Sequence, residues 1–229
     1  MGLLTMNSMK YFLLILTLIF HLASAAAPYL NVGPHHNYIR MKFNNPQKLD
    51  GFLTGLTVNG GYQFNDFSIF ANYEGSWTTG KLCGNPCQES RVSEQLIYGA
   101  FKYRYDFFAL YLGFGYNVFN NTQDPCTADL TFRFKKLIIP LGVQFYWEAS
   151  PHFTMSIQGE FRPDVSSRIR VIKNNFDSKK ERAFRVQLPL ICSRKHFSCQ
   201  LIPFFDWNRF GRTTEKLSNC VPFDIPKLT

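Results

Sequence analysis

Eight charged residues occupy positions from which a protein could bring acids and bases together. Each alternates with apolar neighbours, so each would lie on the polar face of a two-faced β-strand. Carboxylates beside guanidinium and ammonium groups can line a pore, support acid–base catalysis, or close an interior with ion pairs. The eight are Glu74, Lys102, Arg104, Glu148, Glu160, Arg162, Arg185 and Asp206.

Catalysis has little support in the remaining polar residues. None of the histidines after residue 30 falls in a segment that we assign to the long, outward-projecting loops. Four aspartates could gather at a rim, but they have no base as a partner, so we expect no enzymatic activity and no cofactor. The sequence has no glycine-rich phosphate loop and no nucleophile elbow. The histidines are His35, His36, His152 and His196, and the aspartates are Asp124, Asp129, Asp164 and Asp206.

The six cysteines indicate disulfide bonds rather than a metal site. An even set of cysteines in an exported protein is typical of disulfide pairing. Cys83 and Cys87 are separated by three residues, but no histidine supports a zinc site there. Cys192 and Cys199 flank one short turn on the same face, and could bridge across it. The candidates are Cys83, Cys87, Cys126, Cys192, Cys199 and Cys220.

Segment 163–182 is rich in cations and is a candidate polyanion-binding loop. Phosphate-bearing lipid headgroups or polyanionic glycans could bind there. We favour the alternative of a solvated hairpin extension, because Arg168–Ile172 itself alternates. The cations are Arg168, Arg170, Lys173, Lys179, Lys180 and Arg182.

The elements that must position these residues are runs of about ten residues with a period of two. In Phe153–Arg162, apolar side chains and Gly159 alternate with Thr, Ser, Gln, Glu and Arg. Similar runs begin near Phe52, Phe67, Ile97, Phe108, Leu137, Phe184 and Phe197. Very short turns and long segments alternate between the runs. Outward aromatic residues collect at both ends of the runs, as two girdles.

These features predict an all-β fold, an antiparallel up-and-down transmembrane β-barrel of 8–10 strands. A secreted β-sandwich is the alternative, since it also alternates, but it does not explain the girdles or the segregated loop lengths. Pro140, Pro189 and Pro203 are unfavourable for strands, because each lacks a ladder donor. In a small barrel the interior is filled by side chains, so we favour closure of the lumen by ion pairs.

The N-terminal residues 1–27 predict a cleaved signal peptide: Lys10, an apolar run, then small residues. Residues 28–229 would form the single barrel domain. The chain has 229 residues and a formal charge of +9, with 17% aromatic residues. Counting from Tyr38–Phe43 as the first strand, we expect ten strands with the last one missing. If Tyr38–Phe43 is not a strand, the barrel has eight.

Three short segments resemble cysteine-bearing outer-membrane proteins of chlamydia-type bacteria. They are Gly84–Gln88, Gln123–Leu130 and Pro203–Gly211. The resemblance implies an envelope stiffened by disulfides, and porin or surface-antigen roles.

Taken together, the sequence predicts a protein of the outer membrane of a Gram-negative bacterium. Its role would be porin-like or envelope-structural. The alternative is a surface adhesin or ligand-binding barrel that uses segments 78–94, 119–134 and 163–182. Expected partners are outer-membrane lipid and polyanionic surface ligands; nucleic acid is not expected, and the oligomeric state is left open.

Overall fold

The computed structural model describes residues 27–42, 48–78, 90–123, 132–171, 174–194 and 197–208. These residues form strands and turns, and none of them forms a helix long and apolar enough to cross a membrane. The strands are β1 Ala27–Lys42, β2 Lys48–Phe64, β3 Phe67–Thr78, β4 Ser90–Tyr105, β5 Phe108–Gln123, β6 Phe132–Ile138, β7 Leu141–Ser150, β8 Phe153–Val171, β9 Asn174–Asp177, β10 Arg182–Gln187, β11 Leu190–Arg194, β12 Phe197–Leu201 and β13 Phe204–Asn208.

All the strands belong to one antiparallel sheet, in the order β1-β2-β3-β4-β5-β6-β8-β10-β13. β7 extends the line of β6 between β5 and β8, while β11 pairs with both β8 and β12. The first and last strands of this order are linked by a side-chain contact, since the rings of His35 on β1 and Phe204 on β13 stack with centroids 5.1 Å apart. The sheet therefore curls into an up-and-down barrel, which confirms the predicted fold class.

The barrel exposes apolar side chains on its outer surface and buries charged side chains inside, which is the reverse of a soluble protein. Phe101 and Phe114 face outward and are 69% and 58% exposed, whereas Arg162 and Glu160 face inward and are 2% and 1% exposed. A soluble sandwich would bury its aromatic side chains and expose these charges. An exposed apolar surface around a polar interior is instead the arrangement of a barrel in lipid. The sandwich alternative is therefore wrong.

Three prolines interrupt the strands without breaking the sheet. Breaks fall at 139–140, 188–189 and 202–203. The carbonyl groups of Pro140, Pro189 and Pro203 still accept hydrogen bonds from the neighbouring strand, from Gly113, Ser156 and Leu188 at 2.8–2.9 Å. A proline in a strand loses only its donor, so the ladder continues on the acceptor side.

Tight turns join the strands at one end of the barrel, which we call the turn end. Asn65 and Asp106 adopt positive φ angles of 49° and 52° there. Asn and Asp are the non-glycine residues that enter this region most readily. Residues 43–47, 79–89 and 124–131 connect strands at the opposite end, which we call the loop end, and lie outside the described residues.

The strands are longer than the sequence suggested, β1 toward the turn end and several others toward the loop end. β1 begins at Ala27 rather than Tyr38, so the segment on which the eight-stranded alternative depended is a strand. Segment 163–182 is not a long loop: β8 and β9 pair there as an antiparallel hairpin. The hairpin alternative is thus confirmed. The predicted signal peptide and the expected missing last strand concern residues before 27 and after 208, outside the described residues.

Candidate functional site

The most constrained part of the lumen centres on Arg185 of β10. Its Nη1 donates to Oε1 of Glu74 on β3 at 2.6 Å. Its Nη2 and Nε donate to Oδ2 of Asp206 on β13 at 2.7 and 2.9 Å. β3 and β10 are far apart in the strand order. The bond between Arg185 and Glu74 therefore crosses the lumen from wall to wall.

A second guanidinium group extends this contact. Arg162 of β8 donates to the same Oδ2 of Asp206, and its Nε lies 3.2 Å from Oε1 of Glu160. Glu160 in turn accepts hydrogen bonds from the hydroxyl groups of Tyr98 and Tyr111, at 3.2 and 2.5 Å. Charge-assisted bonds of this kind are the strong ones in a protein interior. We call the resulting cluster the lumen network; it comprises Glu74, Tyr98, Tyr111, Glu160, Arg162, Arg185 and Asp206.

The structure thus brings five of the eight predicted charges together and separates the other three. Lys102 donates to Oε1 of Gln144 at 3.1 Å, nearer the turn end. The guanidinium carbon of Arg104 lies 4.6 Å from the ring centroid of Tyr146. Arg104 and Glu148 form a loose pair at 3.8 Å, and the side chain of Glu148 is 74% exposed. This second group borders solvent and contributes little to closing the lumen.

Sequence reasoning missed a buried ion pair nearer the loop end. Nζ of Lys136 lies 3.2 Å from Oδ2 of Asp164, and both side chains are buried. Lys136 also donates to Oδ1 of Asn208 at 3.1 Å. Cations occupy both faces of the run around Lys136, with Arg133 and Lys135 on the other one. The alternation therefore gave no signal as to which cation would face inward.

An apolar cluster lies in the interior at the loop end, and four of its five members come from segments that the sequence assigned to long loops. It consists of Leu53, Val92, Phe119, Phe134 and Ile169, which are at most 3% exposed. Ile39, Phe132 and Phe176 pack against it. Fully buried aliphatic and aromatic side chains exclude water. We call this cluster the apolar cap, since it lies between the lumen network and the loop end.

The lumen is not filled throughout. A cavity of about 1750 Å³ lies against β1, β2 and β3. Its lining reaches from the turn residues Asn65 and Asp66 to Ile39 and Phe119 at the apolar cap, and it includes His35. In the part of the chain that the structure describes, no three His, Cys, Asp or Glu side chains are grouped to hold a metal ion.

The remaining predicted residues that the structure describes are exposed and do not belong to the lumen network. Arg168 and Arg170 belong to β8 and Arg182 begins β10, while Lys179 and Lys180 lie between β9 and β10. Three of the six predicted cations are thus in strands rather than in a loop, their binding of polyanions stays a prediction, and Lys173 lies outside the described residues. Cys192 and Cys199 are exposed free thiols directly opposite each other on β11 and β12. Cys83, Cys87, Cys126 and Cys220 lie outside the described residues.

Comparison with protein families identifies the family of this chain. The family model described as outer membrane protein beta-barrel domain matches residues 12–182, which is more than half of the chain. A search of curated proteins finds no match.

Proposed function

The chain belongs to the outer membrane protein beta-barrel domain family, and we propose that it is an envelope-structural barrel whose lumen is braced shut. The observation that supports this role is the bond from Arg185 to Glu74, which joins opposite walls of the lumen. A channel needs its lining charges free to meet passing solute. Here Arg162 and Arg185 both donate to the carboxylate of Asp206.

The apolar cap supports the same role. Phe119 and Phe134, which are 3% and 0% exposed, belong to this cap in the interior at the loop end. Hydrophobic constrictions stop conduction by losing their water. We propose that the protein is exported by its predicted signal peptide to the outer membrane of a Gram-negative bacterium. There its cysteines would stiffen the envelope, in line with the resemblance to chlamydia-type proteins.

The experiment is conductance across a planar lipid bilayer that contains the refolded full chain, with a general porin as the positive control. The proposed role predicts a silent bilayer at both polarities. Discrete, long-lived current steps from the wild-type chain would overturn it and favour a porin-like protein. Flux of small sugars into vesicles checks the same point without an applied voltage.

The cavity favours a second candidate, a barrel that binds a small polar solute without conducting it. Hydrogen-bonding side chains such as His35, Asn59 and Asn72 line the space. Binding with a silent bilayer would distinguish this role from a porin. The adhesin alternative uses segments 78–94, 119–134 and 163–182, and exchanging residues 79–89 and 124–131 for short turns tests it separately.

A further inference from the structure

β8 changes faces at a β-bulge near Val165. Before the bulge, Asp164 is buried in the lumen, and beyond it Ile169 is buried at the apolar cap. The pairing of β8 with β6 shifts its register at this point. One extra residue in a strand reverses which side chains face inward. Arg168 and Arg170 therefore face outward instead of continuing the inward line of Asp164.

The bulge places four cations against one another on the outer surface. Arg168 lies directly opposite Lys135 of β6, and Arg170 directly opposite Arg133. All four are exposed. Like charges directly opposite each other destabilise a sheet, and here two such pairs lie side by side. We call these four residues the basic patch.

The residues that the structure describes offset little of this repulsion. Among the described residues, the basic patch forms one ion pair. It joins Nε of Arg168 to Oδ1 of Asp177, which lie 3.4 Å apart. Its two side chains are 71% and 74% exposed. Exposed pairs of this kind contribute little, because water and salt screen them. The positive charge of the basic patch is therefore available to bind an anion from outside the chain.

The patch lies at a defined level of the barrel. Tyr116 of β5 pairs with Leu137, and the next outward pair toward the loop end is Val118 with Lys135. On the other side of Tyr116, Phe114 is 58% exposed. Aromatic side chains mark the edge of the apolar band in membrane barrels. The basic patch therefore begins where the apolar band ends, at the depth of lipid phosphate groups.

We propose that the basic patch binds the phosphate groups of an anionic lipid in the leaflet at the loop end. Arginine presents a planar fork that matches phosphate oxygens, and three of the four cations are arginines. A phosphate group bound between β6 and β8 would attract the cations of both opposed pairs and so offset their mutual repulsion. Cations next to the membrane also attract anionic headgroups.

The test measures retention of bisphosphorylated lipid A by the refolded full chain in neutral detergent micelles. Removing two cations of the patch with R133Q/K135Q should weaken binding roughly thirtyfold. The matched control K179Q/K180Q removes the same charge away from the opposed pairs. It should weaken binding by less than about threefold. Equal losses in the two variants would overturn the proposal, because diffuse charge alone would then account for binding.

Two further measurements separate lipid binding from a merely structural role and from binding of a soluble anion. K135E converts a repulsive pair with Arg168 into an attractive one. It should raise the urea midpoint of unfolding in neutral micelles while lowering lipid retention. A fall in the midpoint, or unchanged retention, would indicate the structural role and overturn the proposal. Free inorganic phosphate at about ten millimolar should not displace the lipid, because phosphate lacks the acyl chains that hold the lipid in the micelle. Displacement would instead indicate a site for a soluble anion and would overturn the proposal.

Discussion

Single residues decide whether the lumen network can form, because its aromatic members need space. The ring of Tyr111 lies over Gly142, where any Cβ would overlap the ring. This approach lets the Tyr111 hydroxyl group reach Glu160 at 2.5 Å and accept from Nε2 of Gln158 at 2.6 Å. Glycine at 142 therefore serves close packing rather than backbone freedom.

Gly142→Ala should destabilise the barrel by about 1–3 kcal/mol, because the added methyl group must displace the Tyr111 ring. Gly99→Ala is the control, since the nearest atom to its Cβ would be 3.8 Å away; it should change stability by less than about 0.5 kcal/mol. Urea unfolding in lipid vesicles measures both. Equal stability of the two variants would show that Tyr111 does not occupy this position.

The sequence placed charges correctly in the lumen but could not assign their partners. Alternation indicated that Arg185 and Glu74 face inward, since each is flanked by outward apolar residues. Their contact depends on which strands face each other across the barrel, which no local pattern encodes. Gln144 illustrates the same limit: its lumen position was predictable, but its bonds to Lys102 and to the hydroxyl group of Ser156 were not.

At the scale of the strand, the period of two holds until a bulge or a proline intervenes. The bulge near Val165 could not be predicted, because Arg168–Val171 alternates equally well in either phase. Register against β6 decides between the two phases. Burying Ile169 beside Phe134 favours the one observed. The basic patch on the outer surface is a consequence of that packing.

Leu141 of β7 tests which face meets lipid. Leu141→Arg should cost about 2–4 kcal/mol in a refolded barrel, because it places a charge in the apolar band. Asn59→Arg should cost much less, since Asn59 lines the polar cavity. Gln144 also faces the lumen, but it is only 6% exposed. It is therefore too buried to serve as a control position that tolerates arginine. The measurement is the free energy of unfolding of each variant in lipid vesicles. Similar losses of stability for substitutions at 59 and 141 would contradict the assignment of Leu141 to the lipid-facing surface.

The hairpin of β11 and β12 should carry a disulfide bond under oxidising conditions. Cys192 and Cys199 are direct partners in its register, and the Cα separation of such pairs falls within disulfide range. Non-reducing peptide mapping should find Cys192 joined to Cys199. Linkage of either to Cys83, Cys87, Cys126 or Cys220 would contradict the predicted topology, which assigns those four cysteines to the opposite side of an apolar band of roughly 25 Å.

At the scale of the molecule, the segregated connections predict its orientation. Bacterial barrels place short turns in the periplasm and longer loops outside. In a cysteine-free background, Asn175→Cys should react with an impermeant maleimide on intact cells. Ser150→Cys should react only after permeabilisation. Equal reaction at both positions would show that the loop end is not the external end.

Barrel architecture was predictable because a membrane imposes one pattern on every strand. The interior was less predictable from the sequence, because inward-facing residues are polar in the lumen network and apolar in the apolar cap. Phe119 and Phe134 satisfy the alternation only when the strands are known to continue past the aromatic girdle. Beyond that girdle, the outward face becomes basic and the inward face apolar, which reverses the membrane pattern.

The most direct measurement of the central claim is a double-mutant cycle between Glu74 and Arg185. Unfolding free energies in lipid vesicles are compared for the wild type, Glu74→Gln, Arg185→Met and the double variant. A brace that crosses the lumen predicts a coupling energy of about 2 kcal/mol or more, since the pair is close, charged and buried. A coupling energy within about 0.5 kcal/mol of zero would show that the two walls are not joined there, and would contradict a lumen that is braced shut.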